Sequence, residues 1–230
     1  HSLDRRQRQM CIRDSKIGFE GNLLIEPKPH EPTKHQYDFD SANVFAFLQK
    51  FNLEKEFKLN VEVNHAILAK HSFEHEIAYA LSNNILGSID INRGDYLVGW
   101  DTDQFPNNVE ELVLPFYYIF KNGGLGNGGL NMDAKIRRQS IDPEDLFYAH
   151  IGSMDTCART LIAVEKMIND GSYDDFLQRR YQGWDNNKAL MSSDSLENIY
   201  HRVKSENINP KPQSGRQEYP VSYTHLTLPT

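Results

Sequence analysis

Four short apolar runs of this chain each end in an acidic residue, and this repetition is the pattern most able to do chemistry. The runs LLIE, LNVE, GSID and GLNMD end at Glu26, Glu62, Asp90 and Asp133. If the runs are parallel strands, their carboxyl ends meet at one mouth and the four carboxylates converge there. Hard divalent cations prefer such a ring of oxygen ligands. The pattern therefore predicts a cation site at the strand ends.

Three further candidate ligands lie near these acids in the sequence. His65 comes three residues after Glu62, and GWDTDQFP places Asp101 and Asp103 two residues apart in the loop after the third run. An extended D-x-D segment would point both carboxylates the same way. Six carboxylates in one mouth repel one another and require cations. Two divalent ions leave these six formal charges at −2, and Lys28 brings the sum to −1, so two metals fit better than one.

Composition argues against several classes of protein. The chain has 230 residues, a formal net charge of −7 at pH 7 and a hydrophobic fraction of 39%. No apolar run approaches the roughly 20 residues that span a bilayer, so we expect no membrane association. Net negative charge argues against nucleic acid, whose binders usually carry a basic face. The two cysteines, Cys11 and Cys157, have no C-x-x-C spacing, which fits a reducing cytoplasm better than a disulfide scaffold.

The segments between the acidic run ends alternate strand with helix. Apolar residues recur at helical spacing in DFDSANVFAFLQKFNLEKE, AILAKHSFEHEIAYALSNNI, NNVEELVLPFYYIFKNGG and PEDLFYAHIGSMDTCARTLIAVEKMIND. Repeated strand and helix imply parallel strands joined by right-handed crossovers. The sequence therefore predicts an α/β fold, either half of an eight-fold (β/α)8 TIM barrel or a small doubly wound sheet.

The two ends of the chain differ from its body. Residues 1–15 are Arg-rich without an apolar stretch, and residues 220–230 contain no Lys, Arg, Asp or Glu. Both resemble translated sequencing adapter, so we expect a foreign leader and a foreign scar, with a disordered natural arm as the alternative. Between them we expect a barrel half that carries the metal site, residues 16–170, and a helical oligomerisation tail, residues 171–219.

Five segments resemble the signature segments of D-xylose isomerases of the longer-chain class, in order and at matching intervals. They are LLIEPKPHEPTKHQYD, NVEVNHA, GSIDINRGD, GWDTDQFP and LNMDAKIRRQS. The likeness runs from about Lys16 to Glu218. It implies the last four β/α units of a TIM barrel plus a helical tail. The ring-opening histidine and aromatic sugar pocket of the family are then expected upstream of this sequence.

The resemblance also implies a role for each candidate residue. One metal would be held by the four strand-end carboxylates, Glu26, Glu62, Asp90 and Asp133. A second would be held by Glu62 as the bridge, together with His65, Asp101 and Asp103. Lys28 would be catalytic and hydrogen-bond the carbonyl oxygen at sugar C1. The implied cofactors are two divalent cations per subunit, with Mg²⁺ first and Mn²⁺ or Co²⁺ as alternatives.

The reaction implied by the resemblance is a metal-assisted 1,2-hydride shift in an aldose. It would interconvert D-xylose and D-xylulose, and D-glucose and D-fructose, in a homotetramer whose tail wraps a neighbouring subunit. Two alternatives stay open: another metal-dependent sugar isomerase or epimerase on the same barrel, and a non-catalytic truncated fragment with uncovered sheet edges. We expect this chain alone to be inactive.

A separate H-x-x-E-H pattern runs from His71 through Glu74 to His75. Some zinc proteases use this pattern on a helix. Here it falls on a predicted outer helix, away from the strand ends. We therefore do not expect it to be a catalytic site.

Overall fold

The computed structural model describes residues 16–137, 139–185 and 195–209, without the side chains of 183–185. Four strands form one parallel sheet in the order β1-β2-β3-β4: β1 Leu23–Ile25, β2 Phe57–Glu62, β3 Leu86–Asp90 and β4 Leu130–Asn131. A doubly wound sheet reverses its strand order at a switch point, whereas barrel strands follow in sequence. The predicted α/β fold is confirmed as a partial TIM barrel.

Helices follow the strands as the sequence predicted. Their bounds are α1 Ser41–Phe51, α2 Val63–Leu68, α3 Phe73–Ser82, α4 Val109–Lys121, α5 Glu144–Asp170, α6 Ser172–Asp185 and α7 Leu196–Ser205. Side-chain caps begin several of them. The Asp40 carboxylate accepts from the N–H of Asn43 at the start of α1, and Asn108 accepts from Glu110 at the start of α4.

One helical prediction is wrong in its extent. The segment AILAKHSFEHEIAYALSNNI is divided between α2 and α3 instead of forming one helix. Lys70 has a φ of 66°, a left-handed conformation that a right-handed helix cannot continue. The hydroxyl of Ser72 then caps α3 by accepting from the N–H of His75. The break leaves α2 as a short helix in which every residue is buried, directly after Glu62.

The core lies between the sheet and the helices that cover it. Fully or nearly fully buried apolar side chains come from α1, β2, α3, β3 and α4, among them Leu48, Leu59, Ile77, Ile89 and Leu112. Glycine permits one close approach in the sheet, because a Cβ at Gly128 would lie 1.6 Å from the carbonyl oxygen of Gly87. This approach brings the segment before β4 against β3, and so sets the position of the strand end that leads to Asp133.

The chain forms two compact units, His1–Val164 and Glu165–Thr230. The first contains the sheet and the helices α1 to α4, and the second contains α6 and α7. Among the described residues, no helix is both long and apolar enough to cross a membrane. The predicted leader 1–15 and scar 220–230 lie outside the described residues, and the predicted division at 170 stays a prediction.

Candidate metal centre

Parallel register brings the strand-end acids to one edge of the sheet. Glu62 pairs with Asp90 across β2 and β3, and Asp90 pairs with Asn131, two residues before Asp133. On the other side, Ile25 pairs with Leu59, so Glu26 follows at the same end of β1. The four strands therefore deliver their carboxylates to the same mouth.

Three groups of candidate metal ligands share Glu62. Within each group, one ligand atom per residue lies within 4.8 Å of the others. The groups join Glu62 to Glu26 and His65, to Asp101 and Asp103, and to Asp90 and Asp133. The other six candidate ligands thus surround the buried carboxylate of Glu62.

The grouping differs in one detail from the sets that the resemblance implies. Glu26 groups with His65, and its Oε1 lies 3.3 Å from His65 Nδ1. The Asn60 amide also connects it to the other side, because Nδ2 donates to Glu26 Oε2 at 3.0 Å and to Asp90 Oδ2 at 2.8 Å. Glu26 therefore lies between the two sets.

His65 is at the centre of the arrangement because α2 begins directly after Glu62. Its Nε2 lies 3.2 Å from Glu62 Oε2 and 3.2 Å from Asp101 Oδ2. The imidazole side chain is 5% exposed. One nitrogen of the ring therefore faces two carboxylate oxygens, one from the end of β2 and one from the loop after β3.

Unmet hydrogen bonding at two buried atoms indicates that these side chains suit a cation. Within the described part of the chain, Glu62 Oε2 and His65 Nδ1 are buried and have no hydrogen-bond partner. Each lies close to another candidate ligand, Glu62 Oε2 at 3.2 Å from His65 Nε2 and His65 Nδ1 at 3.3 Å from Glu26 Oε1, but forms no hydrogen bond with it. Unmet hydrogen bonding in a protein interior costs free energy, more so for a charged group. A divalent cation would satisfy the Glu62 oxygen and offset the charge of the surrounding carboxylates.

The D-x-D segment does not have the extended backbone that the sequence suggested. Asp103 has a φ of 41°, in the left-handed region that Asp tolerates better than most residues. Lys135 holds it there: its backbone N–H donates to the Asp103 carbonyl at 2.9 Å, and its Nζ lies 2.5 Å from Oδ2. Both acids nevertheless reach Glu62, because the loop turns back toward the sheet.

Glu62 has a strongly raised pKa. Burial raises the pKa most, because it penalises the charged form. The hydrogen bond from Asn92 lowers the pKa, whereas the negative charges of Asp101 and Glu26 raise it further. Together they raise the pKa of Glu62 to about 9. Without a cation, this carboxyl is therefore protonated at neutral pH.

Asp101 and Asp103 shift in opposite directions. Burial acts to raise the pKa of Asp101, but hydrogen bonds from His65, Asp103 and Lys28 outweigh it and lower the pKa far below its usual value. Burial and the hydrogen bond to Asp101 raise the pKa of Asp103. Asp101 is thus the member of the pair that stays ionised.

Lys28, the predicted catalytic residue, stands at the same mouth. Its Nζ lies 2.5 Å from Asp101 Oδ2, and the side chain is 23% exposed. Burial acts to lower the pKa of Lys28, but its hydrogen bond to Asp101 and the charge of that carboxylate raise it overall. The ammonium is therefore a charged donor at neutral pH.

Sequence reasoning missed the amides that hold these acids. Asn60, Asn64 and Asn92 each donate a side-chain N–H to a carboxylate of the site. A signal was available for Asn60, which precedes Glu62 by two residues within β2, whereas Asn92 lies beyond the end of β3. Residues two apart in a strand share a face.

The H-x-x-E-H segment forms a separate group in which Glu76, and not Glu74, joins His71 and His75. Glu76 Oε1 lies 2.5 Å from His71 Nδ1, and Oε2 accepts from the backbone N–H of Ser41 at 2.8 Å. Both carboxylate oxygens thus have protein partners. The group ties the start of α1 to the start of α3.

Comparison with known proteins agrees with this architecture. No family model matches the chain. The xylose isomerase of Cereibacter sphaeroides (strain ATCC 17025 / ATH 2.4.3) is 61% identical over 204 residues, which are 88% of this chain and 47% of that protein. The xylose isomerases of Ruegeria sp. (strain TM1040) and Agrobacterium fabrum (strain C58 / ATCC 33970) are each 59% identical over 207 residues, 89% of this chain and 48% of each relative.

The chain spans about half the length of the curated relatives that it matches. Identity is near 60% over almost nine-tenths of the chain. A fold of sequential parallel strands with acids at their ends accompanies it. The chain is therefore a homologue of these xylose isomerases over almost nine-tenths of its own length, as a partial xylose isomerase would be.

Proposed function

We propose that this chain supplies the metal-ligand half of a metal-dependent aldose–ketose isomerase that interconverts D-xylose and D-xylulose. The observation that carries the proposal is the convergence of six other candidate ligands on the buried Glu62. The names of the relatives supply the sugar. D-glucose and D-fructose form the second substrate pair, and another sugar isomerase or epimerase of the same fold is the alternative activity.

Two divalent cations match the charges of the mouth. Asp90 and Asp133 form one group with Glu62, while Asp101 and Asp103 form another. Six carboxylates with one neighbouring ammonium need more positive charge than a single divalent ion brings. Oxygen-dominated ligation favours Mg²⁺, with Mn²⁺ and Co²⁺ as substitutes that also accept the imidazole.

The chain's own groups have distinct tasks in this proposal. When bound, the cations would polarise the oxygens of the sugar and stabilise the charge that develops on them. Lys28 Nζ, which contacts Asp101 Oδ2 in this structure, is a charged hydrogen-bond donor within reach of the mouth. Turned toward the sugar, it would donate to the carbonyl oxygen at C1 and orient that carbon for transfer from C2.

The quaternary proposal is a homotetramer in which residues 171–219 pack on a neighbouring subunit. Helix α7 supports it, because it has no buried residue in the described part of the chain. Its Leu196 and Tyr200 are 85% and 58% exposed. An amphipathic helix with an uncovered apolar face is stabilised by a partner. Removing the tail should lower the oligomeric state measured by sedimentation.

A chimaera tests the enzymatic proposal. The segment of the Cereibacter sphaeroides relative that aligns with this chain is replaced by the chain's own residues. We expect conversion of D-xylose to D-xylulose only with Mg²⁺, Mn²⁺ or Co²⁺. Lys28→Met should lower kcat at least roughly 100-fold and spare metal binding, because the ammonium acts on the sugar. Lys34→Met, at an exposed position of the same loop, is the matched control.

Metal binding by the 230-residue chain alone tests the ligand set independently of the chimaera. We expect two Mn²⁺ ions per chain, loss of binding in Glu62→Gln, and no turnover of sugar. Turnover that survives exhaustive chelation in the chimaera would remove the metals from the proposal. A wild-type chain that binds no Mn²⁺ would contradict the ligand set itself.

A further inference from the structure

Two buried asparagines link Glu62 to Asp101 behind the metal-facing side of the site. Asn92 Nδ2 donates to Glu62 Oε1 at 2.7 Å, and Asn92 Oδ1 accepts from the backbone N–H of Asn64 at 2.9 Å. Asn64 Nδ2 in turn donates to Asp101 Oδ1. Asn64 and Asn92 are 0% and 1% exposed. The acids are thus joined through protein, although they belong to different segments.

This link uses one oxygen of each carboxylate and leaves the other. The remaining oxygens, Glu62 Oε2 and Asp101 Oδ2, each lie 3.2 Å from His65 Nε2, and Asp101 Oδ2 also lies 2.5 Å from Lys28 Nζ. The amides are neutral donors, so they orient the carboxylates without cancelling the charge that a cation needs. Outer partners of metal ligands orient them in this way in other proteins.

Gly94 provides the space that the Asn64 side chain occupies. A Cβ at Gly94 would lie 1.8 Å from Asn64 Oδ1 and 2.8 Å from Asn64 Cγ. The φ of Gly94 is outside the left-handed region, so alanine could adopt its backbone conformation. Glycine is therefore required at this position for space and not for backbone freedom. Asn64 Oδ1 is buried without a hydrogen-bond partner in the described residues, which leaves steric contact to hold that end of the amide.

We infer that Asn64 and Asn92, with Gly94 as the seat of Asn64, are positioning residues that set Glu62 Oε2 and Asp101 Oδ2 around His65 before a cation binds. The inference rests on the metal-dependent function proposed above. It assigns these residues no contact with the metal or the sugar. Their effect passes through the two carboxylates. Loss of such an outer partner typically weakens metal affinity 10–100-fold.

The test is a double-mutant cycle on Mn²⁺ affinity in the 230-residue chain. Asn64→Ala and Gly94→Ala should each weaken binding by about 10–100-fold. In the Asn64→Ala background, Gly94→Ala should add less than about twofold, because the atoms that the new methyl group would strike are gone. Gly129→Ala, where a Cβ meets nothing within 4 Å, is the matched control and should leave affinity unchanged.

A second readout separates positioning from general stability. The visible spectrum of bound Co²⁺ should change in Asn64→Ala and in Gly94→Ala, and stay that of the wild type in Gly129→Ala. Should Asn64→Ala fail to fold, Asn64→Ser provides the same comparison with a smaller change in polarity.

Unchanged Mn²⁺ affinity in Asn64→Ala, or fully additive losses in the double variant, would overturn the inference while the proposed function stands. A wild-type chain that binds no Mn²⁺ overturns both. The two failures are therefore distinguishable.

Discussion

Replacing Glu62 by Gln should stabilise the metal-free chain, and the gain should grow with pH. The pKa of Glu62 is raised from 4.5 to about 9, first by burial and then by the charges of its neighbours. The unfolded chain loses this proton near pH 4.5, whereas the folded chain keeps it until about pH 9. The stability that the protonated carboxyl contributes is therefore fully present below pH 4.5 and is lost as pH rises toward 9. Gln is neutral at every pH and removes this loss.

The size of the gain in unfolding free energy follows from how far the pH lies above the pKa of Glu62 in the unfolded chain. Each pKa unit corresponds to about 1.4 kcal/mol of unfolding free energy. At pH 5 the gain is less than about 1 kcal/mol, and at pH 8 it reaches at most about 5 kcal/mol. For a chain of this length, such a gain raises the melting temperature by roughly 10 °C at pH 8.

Scanning calorimetry in the presence of chelator measures the effect at pH 5 and pH 8. Glu56→Gln is the matched control, because Glu56 is exposed and lies just before the opposite end of the same strand. With saturating Mn²⁺ the order should reverse, since the wild type then gains stability from metal binding that the variant lacks. An equal shift at both pH values, or a lower melting temperature for Glu62→Gln at pH 8, would refute the reasoning.

Three further predictions concern the same region. Binding of Mg²⁺ at pH 8 should release about one proton from Glu62, measured as a dependence of the calorimetric heat on the buffer, and Glu62→Gln should abolish this release. Lys135→Met should strengthen Mg²⁺ binding severalfold at low salt, because the Lys135 ammonium pairs with the Asp103 carboxylate and so competes with the cation for it. Weaker binding in the variant would contradict this competition. Ser72→Ala should cost about 1 kcal/mol of unfolding free energy through the lost cap of α3, equally at pH 5 and pH 8, and an unchanged denaturation midpoint would contradict the cap.

Part of the fold followed from local patterns. Apolar runs that alternate with helical periodicity predicted four parallel strands, and the observed order β1-β2-β3-β4 agrees. The same alternation cannot detect a single left-handed residue, which is why one predicted helix became α2 and α3 at Lys70. Periodicity reports which face of an element is apolar, whereas the backbone conformation of one loop residue depends on what surrounds it.

Local pattern was sufficient to predict which acids stand at the ends of strands, because a residue's position along a strand is a local property. The order and spacing of the motifs likewise predicted the relation to xylose isomerases without coordinates. Tertiary structure alone decided that Glu62 is the shared centre, that Glu26 approaches His65, and that Asn64 and Asn92 hold the far oxygens of two carboxylates. It also decided that Glu62 keeps a proton at neutral pH without a cation, because burial and the distances between charges arise only when separate strands and loops are packed together.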